Sequence, residues 1–300
     1  MNITAVIPTK NRPVDIEHAV RSILFQRKRP FQLLVIDQSE SEASRELVMR
    51  MCEQVPEIVL EYVHDPAIAG LVAAKAVSLR LAKGDLVCFL EDDVVLEPDY
   101  FAEIEVGFNQ RPDMLGCCGV VVDVGPMPSG YVRFFQTFHR GIFMDPRVGV
   151  HGHVVGKGHA LIPSPTLSGG LSAWRREVFG KVRFDTANDF FMLEDIEFST
   201  RAAEALGTRF FINPNARLEH HASPVNRARL PARQRRKMRE YIVFYKKRKT
   251  WPRATSSLVW LMLGLFVESL FQTLRYRSPS LIVNYFAGIL DGMRWKLKAS

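Results

Sequence analysis

Four short apolar runs, each followed by a polar step and a helix-like segment, constrain this chain most. Strands are expected at 3–8, 31–37, 58–63 and 85–90, and helices near 15–27, 42–54, 71–82 and 98–110. Strand–helix alternation at this spacing predicts an α/β layer on a largely parallel sheet. In an open α/β sheet the ligand sits outside the carboxyl ends of the strands. Three of those ends are polar: Thr9-Lys10-Asn11-Arg12, Asp37-Gln38-Ser39 and Glu91-Asp92-Asp93. All three are expected on one edge.

The acid triplet closes the apolar run Leu86 to Leu90. Adjacent carboxylates repel, and a strand end offers no helix dipole to offset them. A divalent cation would: Mg²⁺ and Mn²⁺ prefer oxygen ligands and usually take about one or two protein carboxylates plus substrate phosphates. Further along, Ser168-Gly169-Gly170 permits close backbone approach to a ligand. Leu193-Glu194-Asp195 opens a helix expected to run to about 206, with Gly207 as its C-cap. Glu194, Asp195 and Glu197 complement the dipole of that helix start, each by about 0.3–1 kcal/mol. A strand at 208–212, a turn at Asn213-Pro214-Asn215 and a short strand ending in His220-His221 are expected next.

Between 114 and 168 the periodicity weakens. Irregular strands and loops are expected, with Tyr131, Phe134, Phe135, Phe138 and Phe143 forming a wall on the acceptor side. His151-Gly152-His153 offers two metal-type ligands with no third placed beside them.

Charge divides the chain at about residue 223. Residues 1–226 carry a net −6 and residues 227–300 a net +14. Two regions are therefore expected, a mildly acidic body over 1–222 and a basic helical region over 223–300. The apolar runs Leu258 to Val267 and Leu281 to Leu290 each fall short of the roughly 20 apolar residues that span a bilayer. Beside so many basic residues they suit amphipathic helices in the membrane interface. Each Lys or Arg near an anionic surface adds about 1 kcal/mol. With four scattered cysteines (Cys52, Cys88, Cys117, Cys118) and no leader-like start, a reduced setting is expected: cytoplasmic, peripheral at the inner face of the cytoplasmic membrane. The alternatives are a nucleic-acid-binding protein that uses 227–253, and a non-catalytic component kept for complex formation. The apolar tail opposes the first, being a liability in a soluble nucleic-acid binder, so no nucleic-acid partner is expected.

Five motifs in order resemble those of family-2 glycosyltransferases of the GT-A fold, over about residues 3–222. They are Ala5-Val6-Ile7-Pro8-Thr9-Lys10-Asn11-Arg12, Val35-Ile36-Asp37-Gln38-Ser39, Leu90-Glu91-Asp92-Asp93, Leu193-Glu194-Asp195, and Asn213-Pro214-Asn215-Ala216 followed by His220. The resemblance implies an α/β, Rossmann-like nucleotide-diphospho-sugar transferase domain of the spore-coat type, followed here by a helical membrane-associating region. It implies an inverting transfer from a nucleotide-diphosphate sugar to a hydroxyl; the basic, apolar tail alone points to a lipid-linked glycan or cell-surface polysaccharide precursor as the acceptor. Glu91, Asp93 and His220 would hold Mg²⁺ or Mn²⁺. Pro8, Thr9, Asn11, Arg12, Asp37 and Asp92 would line the nucleotide, and Gly169, Gly170 and Glu194 the donor or acceptor sugar. Asp195 would be the general base that takes the acceptor's proton. The chain departs from the pattern at Glu91, where Asp is usual, and at Lys75, where Arg is frequent. The QxxRW motif of processive synthases has only a loose echo, at Gln272 to Tyr276, so transfer of one or a few sugars is expected.

Overall fold

The structure, a computed structural model, describes residues 1–125, 127–149, 160–225 and 228–299. Its first part alternates as expected: β1 (Ile3–Thr9), α1 (Pro13–Leu24), β2 (Gln32–Asp37), α2 (Ala43–Cys52), β3 (Val59–His64), α3 (Leu71–Ser78), β4 (Leu86–Leu90), β5 (Val94–Leu96) and α4 (Tyr100–Gln110). β1, β2 and β4 are buried along their whole length. Uninterrupted apolar runs of this kind suit a parallel sheet covered on both faces. β3, β2, β1 and β4 lie side by side and parallel. Thr9 pairs with Asp37, and Asp37 with His64, so the polar strand ends are level.

The second part adds β6 (Gly116–Val121), α5 (Ser129–Phe138), β7 (Ile162–Pro163), β8 (Leu171–Arg175), α6 (Glu194–Leu206) and β9 (Phe210–His220). β8 runs antiparallel between β4 and β6 and pairs Leu171 with Leu90. Gly169 and Gly170 therefore arrive at the edge that carries the acid triplet. β5 pairs antiparallel with β9, Val94 against His220, which delivers that histidine to Asp93. α6 ends at Leu206, and Gly207 follows at φ 84°, a conformation glycine adopts without a Cβ penalty.

Three expectations are corrected. The region 114–168 holds a core strand, β6, and an amphipathic helix, α5, whose aromatics supply its apolar face; His151, His153 and His159 lie outside the described residues. Residues 210–220 are one strand, and Asn213-Pro214-Asn215 is a bulge within it. Ile212 still pairs with Cys118, but Arg217 pairs with Val120. The Asn215 N–H turns back to Asn213 Oδ1 at 3.0 Å, and Pro214, with no N–H to give, is tolerated at such a bulge.

The third correction concerns the C-terminal region, which forms α7 (Leu230–Lys247), α8 (Ala254–Tyr276) and α9 (Ser280–Arg294). Much of the basic charge on α7 is spent inside the molecule. Arg235 pairs with Asp291, Arg236 with Asp189 and Glu240, Lys237 with Glu268, Arg239 with Asp189, and Lys247 with Asp185 and Glu197. Arg227 lies outside the described residues. A second core joins Phe244 of α7, Leu265 of α8 and Tyr285 of α9 to Phe143, Leu193 and Ile196, so these helices seat on the start of α6. α8 also continues well beyond Leu258–Val267. It has 23 residues, a mean hydropathy of 1.6 and only 28% of its apolar window buried. At about 1.5 Å per residue it is long enough, and apolar enough, to cross a bilayer.

Candidate active site

The three polar strand ends converge as expected. Asp92 turns toward β1: the Thr9 hydroxyl and Arg12 Nη1 each donate to its carboxylate at 2.7 Å. Burial pushes Asp92 up to about 6, with Arg12 and Thr9 opposing. Arg12 also donates to the Val225 carbonyl at 2.7 Å, tying the loop after β1 to the strap that follows β9. Asn11, at φ 53°, donates its N–H to Ser39 Oγ at 2.7 Å and accepts from Glu40 N–H through Oδ1 at 3.2 Å. Pro8 is a strand residue, paired with Ile36. Asp37 is fully buried. Its oxygens accept from Ser39 N–H at 2.8 Å and from the Tyr62 hydroxyl at 2.7 Å, so it closes an Asx-turn after β2.

Glu91 and Asp93 turn the other way, toward His220. Its Nε2 lies 3.0 Å from Glu91 Oε2 and 3.2 Å from Asp93 Oδ1. One ligand atom from each residue fits within a 4.8 Å group. The two carboxylates are donors that suit Mn²⁺ or Mg²⁺, and the imidazole beside them offers a third ligand atom. Hydrogen bonds to Asp93 and Glu91 push His220 up to about 10. In its protonated form the ring would place positive charge between two carboxylates that repel, where a bound cation would place its own. Burial pushes Asp93 up, but His220 and the Ser223 N–H, at 2.8 Å, outweigh it and hold the carboxyl below its ordinary range.

Across from this group lies the start of α6. Glu194 is buried in an ion pair with Lys75, 2.6 Å from its Nζ, and Lys75 also donates to the Gly169 carbonyl. Burial pushes the Glu194 carboxyl up and Lys75 opposes it. Enclosed in this way, the Glu194 carboxylate has Lys75 as its charge partner. Asp195 points elsewhere. It accepts from Ile196 N–H at 2.7 Å, from Gly169 N–H at 3.4 Å, and from Arg147. Arg147 in turn grips Asp145 through two bonds of 2.8 Å. Burial opposes the charge on Arg147, but Asp195 and Asp145 outweigh it and raise the guanidinium well above its usual range.

Gly169 and Gly170 form the partition between the two acidic groups. A Cβ on Gly169 would lie 1.9 Å from Glu194 Oε1, and one on Gly170 would lie 2.3 Å from Glu91 Cγ. Any side chain here would push the two motifs apart. A separate depression of about 860 Å³, lined by Arg80, Arg176, Phe179 and Arg183, lies at the Arg175 end of β8, away from these groups.

Sequence reasoning missed Arg147, Asp145 and Ser223 as members of this site. Lys75 carried a faint signal, being the one charge in the apolar helix Leu71–Ser78.

Strand-end carboxylates grouped for a cation, facing a second acidic pair at a helix start, define an α/β enzyme built for an anionic, nucleotide-type ligand. The chain belongs to glycosyl transferase family 2, whose sequence profile matches residues 4–183, and it is a glycosyltransferase that uses a nucleotide sugar. It is similar to the glucosyl-dolichyl phosphate glucuronosyltransferase of Haloferax volcanii, at 24% identity over 233 residues, covering 73% of this chain and 69% of that protein. Among solved structures it resembles the mannosyltransferase PcManGT from Pyrobaculum calidifontis in complex with GDP-Man and Mn²⁺. The TM-score is 0.63 at 16% identity, over 98% of this chain and 87% of that one. GalNAc-T7 with UDP, GalNAc and Mn²⁺ gives 0.55 at 16% identity, over 73% of this chain and 44% of that one. These neighbours share the GT-A fold.

Proposed function

We propose that the protein is an inverting glycosyltransferase that adds one sugar to a hydroxyl of a lipid-linked or cell-surface glycan precursor. The observation that carries this reading is the Gly169-Gly170 partition, with Glu91 against one glycine and Glu194-Asp195 against the other. It sets a cation group and a candidate base on two sides of one narrow backbone.

Glu91, Asp93 and His220 hold Mg²⁺ or Mn²⁺. When bound, the cation neutralises charge on a leaving diphosphate. Pro8, Thr9, Asn11, Arg12 and Asp92 line the nucleotide, while Asp37 shapes that pocket through its turn. Asp195 takes the proton of the acceptor hydroxyl as its oxygen bonds to the anomeric carbon. The bond from that carbon to the diphosphate breaks, and the electron pair leaves with the diphosphate. Gly169 and Gly170 border the sugar.

The acceptor class rests on the C-terminal helices and on the dolichyl-linked substrate named for the Haloferax relative. α8 exposes Val259, Leu263, Val267, Phe271 and Leu274 along its length, and α9 exposes Phe286 and Leu290. An apolar face of this extent suits a membrane surface. Arg229, Arg233, Arg277 and Lys296, with no ion pair among the described residues, suit its anionic headgroups. The attachment is to the cytoplasmic face.

The test is a thermal-shift panel of nucleoside diphosphates with and without Mn²⁺. Stabilisation by one nucleotide that needs the cation, and is lost in Asp93→Ala, is expected. No shift with any nucleotide would overturn the reading.

A further inference from the structure

The segment leading into the catalytic helix is held by the C-terminal region, through one buried carboxylate. Glu240 of α7 is 1% exposed. Its Oε2 accepts three successive backbone N–H groups: Phe191 at 3.2 Å, Met192 at 2.8 Å and Leu193 at 3.0 Å. Its other oxygen takes Arg236 Nε at 2.9 Å. Three convergent amides form a nest of the kind that binds anions, and here the chain fills it with its own side chain. The next residues are Glu194 and Asp195. Arg236 and Arg239 both hold Asp189, which sits at φ 51°. Lys247, at the far end of α7, reaches Asp185 and Glu197. α7 thus grips the approach to α6 and the first turn of α6 itself. By contrast, none of the bonds made by α7 reaches Thr9, Arg12, Glu91, Asp93 or His220 among the described residues.

We infer that Glu240 is a positioning residue for Asp195, fixing the start of the catalytic helix from the helix that also carries α8 and α9. The inference rests on Asp195 being the base. The geometry gives it a direction. A carboxylate oxygen meeting three N–H groups sets both the height and the rotation of the first helical turn. Displacing a reacting group by about 1 Å costs about 100-fold in rate. The donor side, built on β1, β4 and β9, receives no such bond from α7 among the described residues.

The experiment compares wild type with Glu240→Ala, Glu240→Gln and Glu240→Asp in the full chain. Turnover is read as nucleoside diphosphate released from UDP-glucose and from GDP-mannose with Mn²⁺. Donor binding is read by thermal shift, and backbone exchange by deuterium uptake over 186–198. Glu240→Ala is expected to lose 10-fold or more in kcat with KM for the donor within twofold, and to exchange faster at 191–193. Glu240→Gln keeps an acceptor oxygen and is expected within about threefold of wild type. Glu240→Asp, one methylene short, keeps the charge and falls between them, which serves if the alanine variant does not fold. Equal losses in kcat and donor binding, or unchanged kcat with faster exchange at 191–193, would overturn the inference. Asp195→Asn is run alongside. If that variant keeps full turnover, the base assignment has failed; if it is inactive and the Glu240 series is flat, only the positioning role has failed.

Discussion

Asp195 shares Arg147 with Asp145, so the guanidinium has two carboxylates and Asp195 is not its sole counter-charge. The arrangement separates chemistry from stability. Asp195→Asn leaves Arg147 paired with Asp145, and the fold is expected to keep its melting temperature within a few degrees while turnover falls about 10²–10⁴-fold. Arg147→Met strands the buried carboxylate of Asp145 and the half-buried one of Asp195, and is expected to cost about 3–5 kcal/mol. Thermal denaturation and nucleoside diphosphate release on both variants check the pair. An active Asp195→Asn would remove the base assignment.

Lys75 and Glu194 form a tighter case, because each is almost fully buried. Removing one partner leaves an unpaired charge beside Phe89 and Phe184, over which the ammonium sits. Lys75→Met is expected to destabilise by about 3–5 kcal/mol, and Lys75→Met/Glu194→Gln to recover much of that loss. Urea unfolding of the two single variants and the double variant measures the coupling. Strict additivity would mean that the pair contributes nothing.

The two glycines should fail differently. At Gly169 a methyl meets the paired end of Glu194, which Lys75 holds in place, so Gly169→Ala is expected to cost about 1–3 kcal/mol of stability. At Gly170 it meets Cγ of Glu91, whose side chain is 41% exposed and would have to rotate away from His220. Gly170→Ala should then stay folded and bind nucleotide with Mn²⁺ less tightly. Equal melting temperatures for the two variants would contradict this.

What the sequence made legible follows from how local each signal is. The strands of the first half read clearly because an apolar run and the polar step after it lie within ten residues. Asp93 and His220 were found from strand-end positions, though 127 residues separate them. Arg147 and Glu240 were not found. Arg147 follows a segment without periodicity, and its partner at the site, Asp195, lies 48 residues away. Glu240 stands alone among basic residues and reads as a lone surface charge, yet it points inward to three amides. The basic charge of α7 misled for the same reason: net charge does not say which side chains have partners, and the acidic body supplied Asp185, Asp189 and Glu197.

The outward faces of α8 and α9 yield a binding prediction. Phe271 and Leu274 are 62% and 72% exposed, so replacing both with Asp should change folding stability by no more than about 0.5 kcal/mol each. If those side chains enter lipid, each contributes about 1.5 kcal/mol or more. Partitioning to phosphatidylglycerol vesicles should then fall about 100-fold or more. Cosedimentation reads the loss, and nucleotide-induced thermal shifts, which need no membrane, should be retained. Undiminished cosedimentation would mean that another surface carries the attachment.

His139 is expected to set the acid limit of the C-terminal core. Its ring stacks on Phe135 with centroids 3.5 Å apart. Nδ1–H donates to the Phe135 carbonyl at 3.0 Å, which leaves Nε2 to accept from the Tyr241 hydroxyl at 3.1 Å. Burial lowers the histidine to about 4, the Phe135 carbonyl opposes, and Lys237 pushes the same way as burial. The ordinary value in an unfolded chain is about 6.5. The unfolded state therefore binds a proton that the folded state refuses between those two values, and stability rises with pH across that window. The neutral ring costs nothing above about pH 6.5, the penalty grows as pH falls, and it is complete below about pH 4, where it approaches about 3 kcal/mol. Glutamine can donate to the same carbonyl and accept from the same hydroxyl without titrating. His139→Gln is expected to show a flatter stability profile between pH 7 and 4 than wild type, measured by chemical denaturation at several pH values. Parallel profiles would mean that other groups set the acid limit.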